Sequence, residues 1–270
     1  MTDTSLPIGV FDSGLGGLTA LDELRKLMPQ EDIIYFGDSA RIPYGTKSRE
    51  VISKFALQDA HFLVSKGVKA ILVACGTVSS NCLPLLKENF NIPTVGVVSA
   101  AAKKACELAD KTGKIALLGT SSTIKSRAFE KEISKYGNYE IFSRACPMFV
   151  PLVEYGYTSK DDRAANIIAN EYLEDIKKFR PDSVILGCTH YPLLSDIISS
   201  ILPDSALVSS GKEAAKELCS LIKESGLENR NGGKTDFYTS DSGEDFAENA
   251  KRFLKTDIDG KVRFADIEKY

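Results

Sequence analysis

Two short stretches of the chain share one pattern, and this repeat constrains the fold more than any other feature of the sequence. Residues 71–77 read ILVACGT and residues 184–189 read VILGCT. In each stretch an apolar run meets a small residue, a cysteine and, within two positions, a threonine. Short apolar runs that end at turn residues are typical of buried parallel strands. Helix-forming sequence follows both runs, so each cysteine is predicted where a strand ends and a helix begins, which is where α/β sheets bind ligands.

Strand and helix patterns alternate along the chain, which predicts an α/β fold. Residues 8–13 (IGVFDS) resemble residues 115–121 (IALLGTS), and Pro43-Tyr44-Gly45 resembles Glu154-Tyr155-Gly156, so the repeat extends beyond the cysteines. We therefore expect two pseudo-symmetric halves, each a mostly parallel sheet flanked by helices. The loops at the carboxyl ends of both sheets would then form a cleft that holds the active site.

Local signals predict the boundaries of the elements near this cleft. Apolar periodicity predicts a helix near residues 80–90. A strand over 94–98 should lead into a helix opened by Ser99. The polar run after strand 114–119 should cap a single helix that continues to about residue 136.

Composition and charge exclude several classes of protein. Hydrophobic residues make up 43% of the chain and charged residues 26%, which is the balance of an ordinary globular protein. The net charge of −3 argues against nucleic acid or an anionic membrane as a partner. The six cysteines show no CxxC spacing, so we expect reduced thiols and a cytoplasmic location. Apolar runs stay shorter than 18 residues and the two histidines lack metal-ligand spacing, so neither a membrane span nor a zinc site is expected.

Two thiols that face each other across a cleft suit one task. One thiol removes a proton from a carbon, and the other returns a proton to the opposite face. A free cysteine has a pKa near ~8.5 and is mostly protonated at neutral pH, so each thiol needs an acid–base partner. The candidates are Asp12 and Asp38 in the first half, and Glu154 and His190 in the second. Backbone amides of the turns at Ser13, Tyr44, Thr120 and Thr189 can bind a carboxylate.

Plainer interpretations compete with these assignments. A lone cysteine at a strand end is more often a packing residue. Asp12 and Asp38 can simply cap the turns that follow them, and His190 can be an ordinary loop histidine. The glycines of residues 14–17 suggest a dinucleotide site, but Thr19 stands at the third glycine position. A binding module without enzymatic activity also fits the cleft.

Five stretches, taken together, resemble the glutamate racemases of the aspartate/glutamate racemase family. They are FDSGLGGLT at 11–19, FGDSARIPYG at 36–45, CPMFVPLVEYG at 146–156, GCTHYPLL at 187–194 and SSG at 209–211. The resemblance covers nearly the whole chain from about residue 7 onward. Several motifs in one order make it far more specific than any single glycine turn.

The resemblance implies an isomerase that interconverts L- and D-glutamate without cofactor or metal and supplies D-glutamate for peptidoglycan and cell shape. It implies one domain made of residues 1–98 and 209–270 and a second made of residues 99–208. Glutamate is the implied small-molecule partner, nucleic acid and membrane are not expected, and the chain is expected to form a homodimer. An aspartate racemase, or another amino-acid racemase on the same fold, stays open as the alternative.

The resemblance also implies roles for individual residues. Cys75 would act on the D-isomer and Cys188 on the L-isomer, assisted by Asp12 and His190 respectively. Asp38 and Glu154 would be further acid–base or polarising groups. The implied substrate contacts are Asp12, Ser13, Pro43, Tyr44, Gly45, Cys75, Gly76, Thr77, Thr120, Cys188, Thr189 and His190.

Two positions depart from the family pattern. The first cysteine of the family is usually followed by Asn, whose amide contacts substrate, whereas this chain has Gly76. A strand that usually ends in an acid or amide before Pro-Gly ends here in Ser99-Ala100-Ala101. If Gly76 merely removes one contact, about 1–3 kcal/mol of binding is lost. On that reading, Gly76→Asn should lower KM.

Overall fold

Strands and helices alternate in the computed structural model, which describes residues 3–254, 258 and 262–270. The strands are β1 (Ile8–Asp12), β2 (Ile33–Gly37), β3 (Ala70–Val73), β4 (Thr94–Gly96), β5 (Lys114–Gly119), β6 (Glu140–Ala145), β7 (Ser183–Leu186), β8 (Ala206–Ser209), β9 (Thr235–Thr239) and β10 (Arg263–Phe264). The α-helices are α1 (Leu18–Leu27), α2 (Arg49–Ser65), α3 (Gly76–Asn89), α4 (Val97–Leu108), α5 (Ser121–Ser126), α6 (Ala128–Ile133), α7 (Phe149–Glu154), α8 (Arg163–Phe179), α9 (Ser195–Ile201), α10 (Ser210–Glu224) and α11 (Gly243–Ala250).

Within the described residues the strands form two parallel sheets. The larger has the order β10-β9-β2-β1-β3-β4 and the smaller has the order β6-β5-β7-β8. The order β2-β1-β3-β4 in one sheet therefore matches β6-β5-β7-β8 in the other. Cys75 follows β3 and Cys188 follows β7, so the two cysteines occupy equivalent positions. The predicted α/β fold with two related parallel sheets is confirmed.

The largest apolar cluster joins the two sheets into one molecule. It contains residues of β1 and β3 from the larger sheet and of β5 and β7 from the smaller sheet. Helix α10 follows the last strand of the smaller sheet and packs against both α1 and α4. All residues of β1, β3 and β7 are buried, as expected for parallel strands covered by helices on both faces. This packing holds the carboxyl ends of the two sheets in a fixed relation.

Three local predictions were wrong. Helix α3 begins at Gly76 rather than near residue 80, because the Ser79 hydroxyl donates to the Val73 carbonyl and accepts from the Val97 amide instead of opening a helix. Helix α4 likewise begins at Val97, before Ser99. The single helix expected to reach residue 136 is broken into α5 and α6 at Arg127, whose φ of 54° lies in the left-handed region.

The two Tyr-Gly pairs follow the matched strands β2 and β6, but their tyrosines lie in different environments. Tyr44 begins a 3₁₀ turn, Tyr44–Thr46, and is buried. Tyr155 follows the last residue of α7 and is 78% exposed. The two Tyr-Gly pairs therefore serve different purposes, and the repeat is carried by the strands and the cysteines.

Candidate active site

A cavity of about 280 Å³ lies between the carboxyl ends of the two sheets. Glu154 and every predicted substrate contact except Asp12 line this cavity. The lining includes four apolar residues that sequence reasoning missed, Ile42, Pro147, Val150 and Pro151. The volume is near the lower end of the usual range for small-molecule sites, about 300–1,000 Å³. The cavity therefore suits a molecule about the size of an amino acid.

Cys75 lies on one wall of the cavity, at the N-cap of α3. The thiol is buried and donates a hydrogen bond to the Ser13 hydroxyl, with 3.7 Å between Sγ and Oγ. Burial raises the pKa of Cys75 far above its usual value, and the nearby charge of Asp12 adds to the effect. The amide of Val78 in the first turn of α3 acts in the opposite direction. Cys75 is consequently held as a thiol at neutral pH.

Cys188 lines the same cavity after β7 of the other sheet, and its partners form a chain. The Sγ atom is 3.8 Å from His190 Nδ1, and His190 Nε2 is 3.2 Å from Glu154 Oε1. Burial lowers the pKa of His190, but its contacts with Cys188 and Glu154 outweigh burial and raise the pKa to about 10. His190 is therefore a cation at neutral pH, and a cation beside a thiol favours the thiolate. The two cysteines therefore have different partners: a hydroxyl group contacts Cys75, and a cationic imidazole lies beside Cys188.

Asp12 is fully buried and lies outside the cavity lining. It accepts hydrogen bonds from the Gly14 amide at 3.1 Å and from the Thr189 hydroxyl at 3.4 Å. Burial raises the pKa of Asp12, while the charge of His190 lowers it. Asp12 thus joins the loop after β1 to the loop after β7, and it acts on the cavity through its neighbours.

Asp38 is also fully buried outside the lining. It accepts from Arg41 Nε at 2.6 Å, from the Ser240 hydroxyl at 2.7 Å and from the Tyr44 hydroxyl. These donors satisfy both carboxylate oxygens. Asp38 therefore reaches the cavity only through Tyr44, which lines it.

Hydroxyl groups connect the two halves at the cavity. Thr77 Oγ1 lies 3.0 Å from Thr120 Oγ1 in the other half, and Thr120 in turn caps α5 by accepting from the Thr123 amide. The Thr19 hydroxyl donates to the Thr189 carbonyl at 2.9 Å. Hydroxyls and the first amides of α3 are suitable donors to substrate carboxylates.

Two glycines allow the close approach of the halves. A Cβ atom on Gly16 would lie 2.3 Å from Thr189 Oγ1 and 2.5 Å from His190 Nδ1. A Cβ atom on Gly76 would lie 2.1 Å from the Gly187 carbonyl oxygen. An asparagine at position 76 therefore cannot be added to this site without moving the backbone. The cavity is built around Gly76, contrary to the expectation that restoring Asn would improve binding.

Two further residues were missed because nothing in the sequence marks them. The Phe253 ring packs edge-on against the His190 ring, with 5.4 Å between the centroids and an interplanar angle of 88°. Arg252 Nη1 donates to the Glu154 carbonyl. The segment after α11 thereby contacts both members of the His190–Glu154 pair.

The described part of the chain contains neither a cluster of metal-ligating side chains nor a membrane-spanning helix. Across residues 3–254, 258 and 262–270, no three His, Cys, Asp or Glu side chains are grouped so as to hold a metal ion. Every helix over the same residues is too short or too polar to cross a lipid bilayer.

The fold and the cavity define a class of protein in which two parallel sheets of like topology present one thiol each to a small-molecule site. The chain belongs to the Asp/Glu/Hydantoin racemase family, whose model matches residues 19–218. The resemblance inferred from the motifs is thus confirmed.

Relatives and solved structures agree with this assignment. The chain is 40% identical over 251 residues to glutamate racemase of Geobacter metallireducens, covering 92% of each chain. It is also similar to the solved glutamate racemase of Francisella tularensis in complex with D-glutamate, at 38% identity and a TM-score of 0.91, covering 99% of this chain and 100% of that one. The Thermus thermophilus glutamate racemase in complex with β-chloro-D-alanine matches at 42% identity and a TM-score of 0.89, with the same coverage.

Proposed function

We propose that this cavity interconverts L-glutamate and D-glutamate by moving the Cα proton between Cys75 and Cys188. One observation carries the proposal: the two cysteines follow equivalent strands of two sheets and line one cavity of amino-acid size. Glutamate is the substrate because relatives 40% identical over most of the chain are named glutamate racemases, and one solved relative binds D-glutamate.

The reaction begins with the L-isomer, on which Cys188 acts. The Cys188 thiolate takes the Cα proton, the C–H bond breaks, and the electron pair stays on the substrate, spread toward its carboxylate. Cys75 then donates its S–H proton to the opposite face of Cα, which yields the D-isomer. The products are a Cys188 thiol and a Cys75 thiolate, and the reverse reaction restores the starting state.

The surrounding groups divide into two sets that match the two thiols. His190, as a cation held by Glu154, stabilises the Cys188 thiolate. Ser13 contacts Cys75, and buried Asp12 lies close enough for its charge to raise the pKa of that thiol. The hydroxyls of Thr77 and Thr120 and the first amides of α3 bind the substrate carboxylates, where charge grows as the proton leaves.

The biological setting is part of the same proposal. D-glutamate made by this chain supplies peptidoglycan synthesis and so cell shape, in the cytoplasm, and the enzyme acts as a homodimer without metal or cofactor. Residues 1–98 with 209–270 form one domain and residues 99–208 form the other. The membership of β1–β4, β9 and β10 in one sheet and of β5–β8 in the other supports this division.

Incubation of the purified protein with each enantiomer of glutamate and aspartate, without added cofactor and after exhaustive chelation, tests the proposal. Chiral chromatography should show an equal mixture from either glutamate enantiomer, because enantiomers have equal free energy. Aspartate should remain essentially unchanged. Faster racemisation of aspartate than of glutamate, or activity only with an added metal or cofactor, would contradict the proposal.

A further inference from the structure

A buried polar cluster lies behind the cavity wall formed by the loop between β2 and α2. The loop residues Ile42 to Thr46 line the cavity, and Tyr44 is the loop side chain that points into the protein interior, at 1% exposure. Asp38 and Asp59 flank the Tyr44 hydroxyl, and both are 0% exposed. Asp38 lies at the start of the loop, whereas Asp59 reaches it from α2.

Asp59 contacts both loop side chains that enter the cluster. Its Oδ1 accepts from Arg41 Nη2 at 3.0 Å, and its Oδ2 lies 3.1 Å from the Tyr44 hydroxyl. Arg41 also donates to Asp38 and to Gln58, and its guanidinium lies over the Phe55 ring, 4.1 Å from the centroid. A single carboxyl group of α2 therefore holds the loop at two points.

The hydrogen atoms in this cluster can be counted. The Tyr44 hydroxyl carries one hydrogen, yet Asp38 Oδ2 and Asp59 Oδ2 both lie within hydrogen-bond distance of it. Asp38 is the closer of the two and receives that hydrogen. Asp59 Oδ2 faces an oxygen lone pair, which is favourable only if Asp59 carries a proton of its own and donates it to Tyr44.

The net charge of the cluster also favours a protonated Asp59. Arg41 and Asp38 form an ion pair, with 2.6 Å between Nε and Oδ2. A neutral Asp59 leaves this pair balanced, whereas an ionised Asp59 adds a buried negative charge without a compensating cation. Burial raises the pKa of Asp59 well above its usual range, the charge of Asp38 raises it further, and Arg41 and Tyr44 oppose. Asp12, at the end of β1, is a further acidic group whose charge acts on Asp59 in the same direction as Asp38.

We propose that Asp59 is a positioning residue, held in its protonated form, that fixes Tyr44 and Arg41 and thereby the cavity wall against which the anionic substrate binds. The proton matters because a negative charge behind this wall would repel the substrate carboxylates. The kinetic part of this inference rests on the proposed glutamate racemisation, whereas the protonation of Asp59 does not.

Two substitutions at Asp59 separate a neutral hydrogen-bonding role from a charged one. Asp59→Asn keeps an acceptor for Arg41 and a donor for Tyr44, so kcat and KM should stay within about threefold of the original values. Asp59→Ala leaves two buried partners unpaired, and KM should rise at least about tenfold, with a smaller change in kcat. Glu268→Gln is the matched control, because Glu268 contacts Arg41 at 3.4 Å but is 63% exposed, and its loss should change neither constant.

Two measurements complete the test. The infrared difference spectrum between the original protein and Asp59→Asn at neutral pH should contain the C=O band of a protonated carboxyl group, whether or not the protein racemises glutamate. At alkaline pH the KM of the original protein should rise more steeply than that of Asp59→Asn, because only the original protein has a carboxyl group at position 59 that can ionise. His190 is present in both proteins, so its titration does not contribute to the difference. A missing band, an Asp59→Asn variant as impaired as Asp59→Ala, or an Asp59→Ala variant with normal KM would each overturn the inference. A present band without glutamate turnover would instead overturn only the proposed function.

Discussion

At Gly76, the addition of a single methyl group should cause a large loss of activity. In Gly76→Ala the new Cβ atom would begin 2.1 Å from the Gly187 carbonyl oxygen, and real Cβ atoms stay at least 3.0 Å from such an atom. Since the obstacle is backbone, the two loops must separate by about 0.9 Å. Those loops carry Cys75 and Cys188, and a misplacement of about 1 Å at a reacting centre costs about 10²-fold. We therefore expect kcat to fall by roughly two orders of magnitude.

The assay follows racemisation of each glutamate enantiomer by circular dichroism, together with thermal unfolding. Gly113→Ala is the control, because Gly113 has a φ of 71° and a Cβ atom there meets nothing within 4 Å. That variant should lose about 1–2 kcal/mol of stability through backbone strain while keeping its kinetic constants. A Gly76→Ala variant with near-normal kcat, or a Gly76→Asn variant with lower KM, would refute the structural reasoning and restore the expectation drawn from the sequence.

Three further predictions concern the two thiols and their support. Cys75→Ser and Cys188→Ser should each abolish racemisation in both directions. NMR in heavy water should still show residual exchange of the Cα proton, for one glutamate enantiomer in the first variant and for the other enantiomer in the second. Exchange of the same enantiomer in both variants would contradict the two-thiol mechanism. Because the pKa of His190 is raised from 6.5 to about 10, the folded state holds an extra proton between these values. The free energy of unfolding and the activity on L-glutamate should therefore fall as the pH rises through this window, and a His190→Gln variant should lack this slope in its unfolding free energy. Phe253→Ala removes a buried ring packed on His190, so it should cost about 3–5 kcal/mol of stability and slow proton removal from L-glutamate. Denaturant titration and Cα exchange should show smaller effects for Phe253→Leu, and equal effects of the two substitutions would exclude a role for the ring.

Cys75 and Cys188 have different partners, and this difference bears on the direction of the proposed racemisation. Cys188 has a cationic partner beside it, whereas Cys75 has a hydroxyl and a nearby buried carboxyl group. In the proposed reaction, L-glutamate binds when Cys188 is the thiolate and Cys75 is the thiol. The proposed reaction of the D-isomer starts from the opposite state, so the proposed cycle includes a redistribution of protons between turnovers.

The sequence alone determined the features that depend on local patterns. Apolar runs that end at Ala74-Cys75 and Gly187-Cys188 predicted the strands and the position of both thiols, because a buried parallel strand has a continuous apolar signature. Alternation of such strands with helical periodicity predicted two parallel sheets and a cleft at their carboxyl ends. Each of these signals lies within a single strand or helix, so it can be interpreted without knowing which residues meet across the fold.

Contacts between distant residues were decided only by the tertiary structure. Nothing near Asp38 in the chain shows that Ser240 and Tyr44 would bind both of its oxygens and keep it outside the cavity. Likewise, the sequence around Gly76 does not show that a side chain is excluded there. Only the folded structure places the Gly187 carbonyl oxygen where that side chain would lie. Hydrogen-bond partners and steric limits of this kind depend on how the two sheets pack, and packing joins residues that the sequence places up to about two hundred positions apart. Local propensity contains no information about such pairs, which is why the strands and the candidate acid–base residues were predictable and the hydrogen-bond partners of those residues were not.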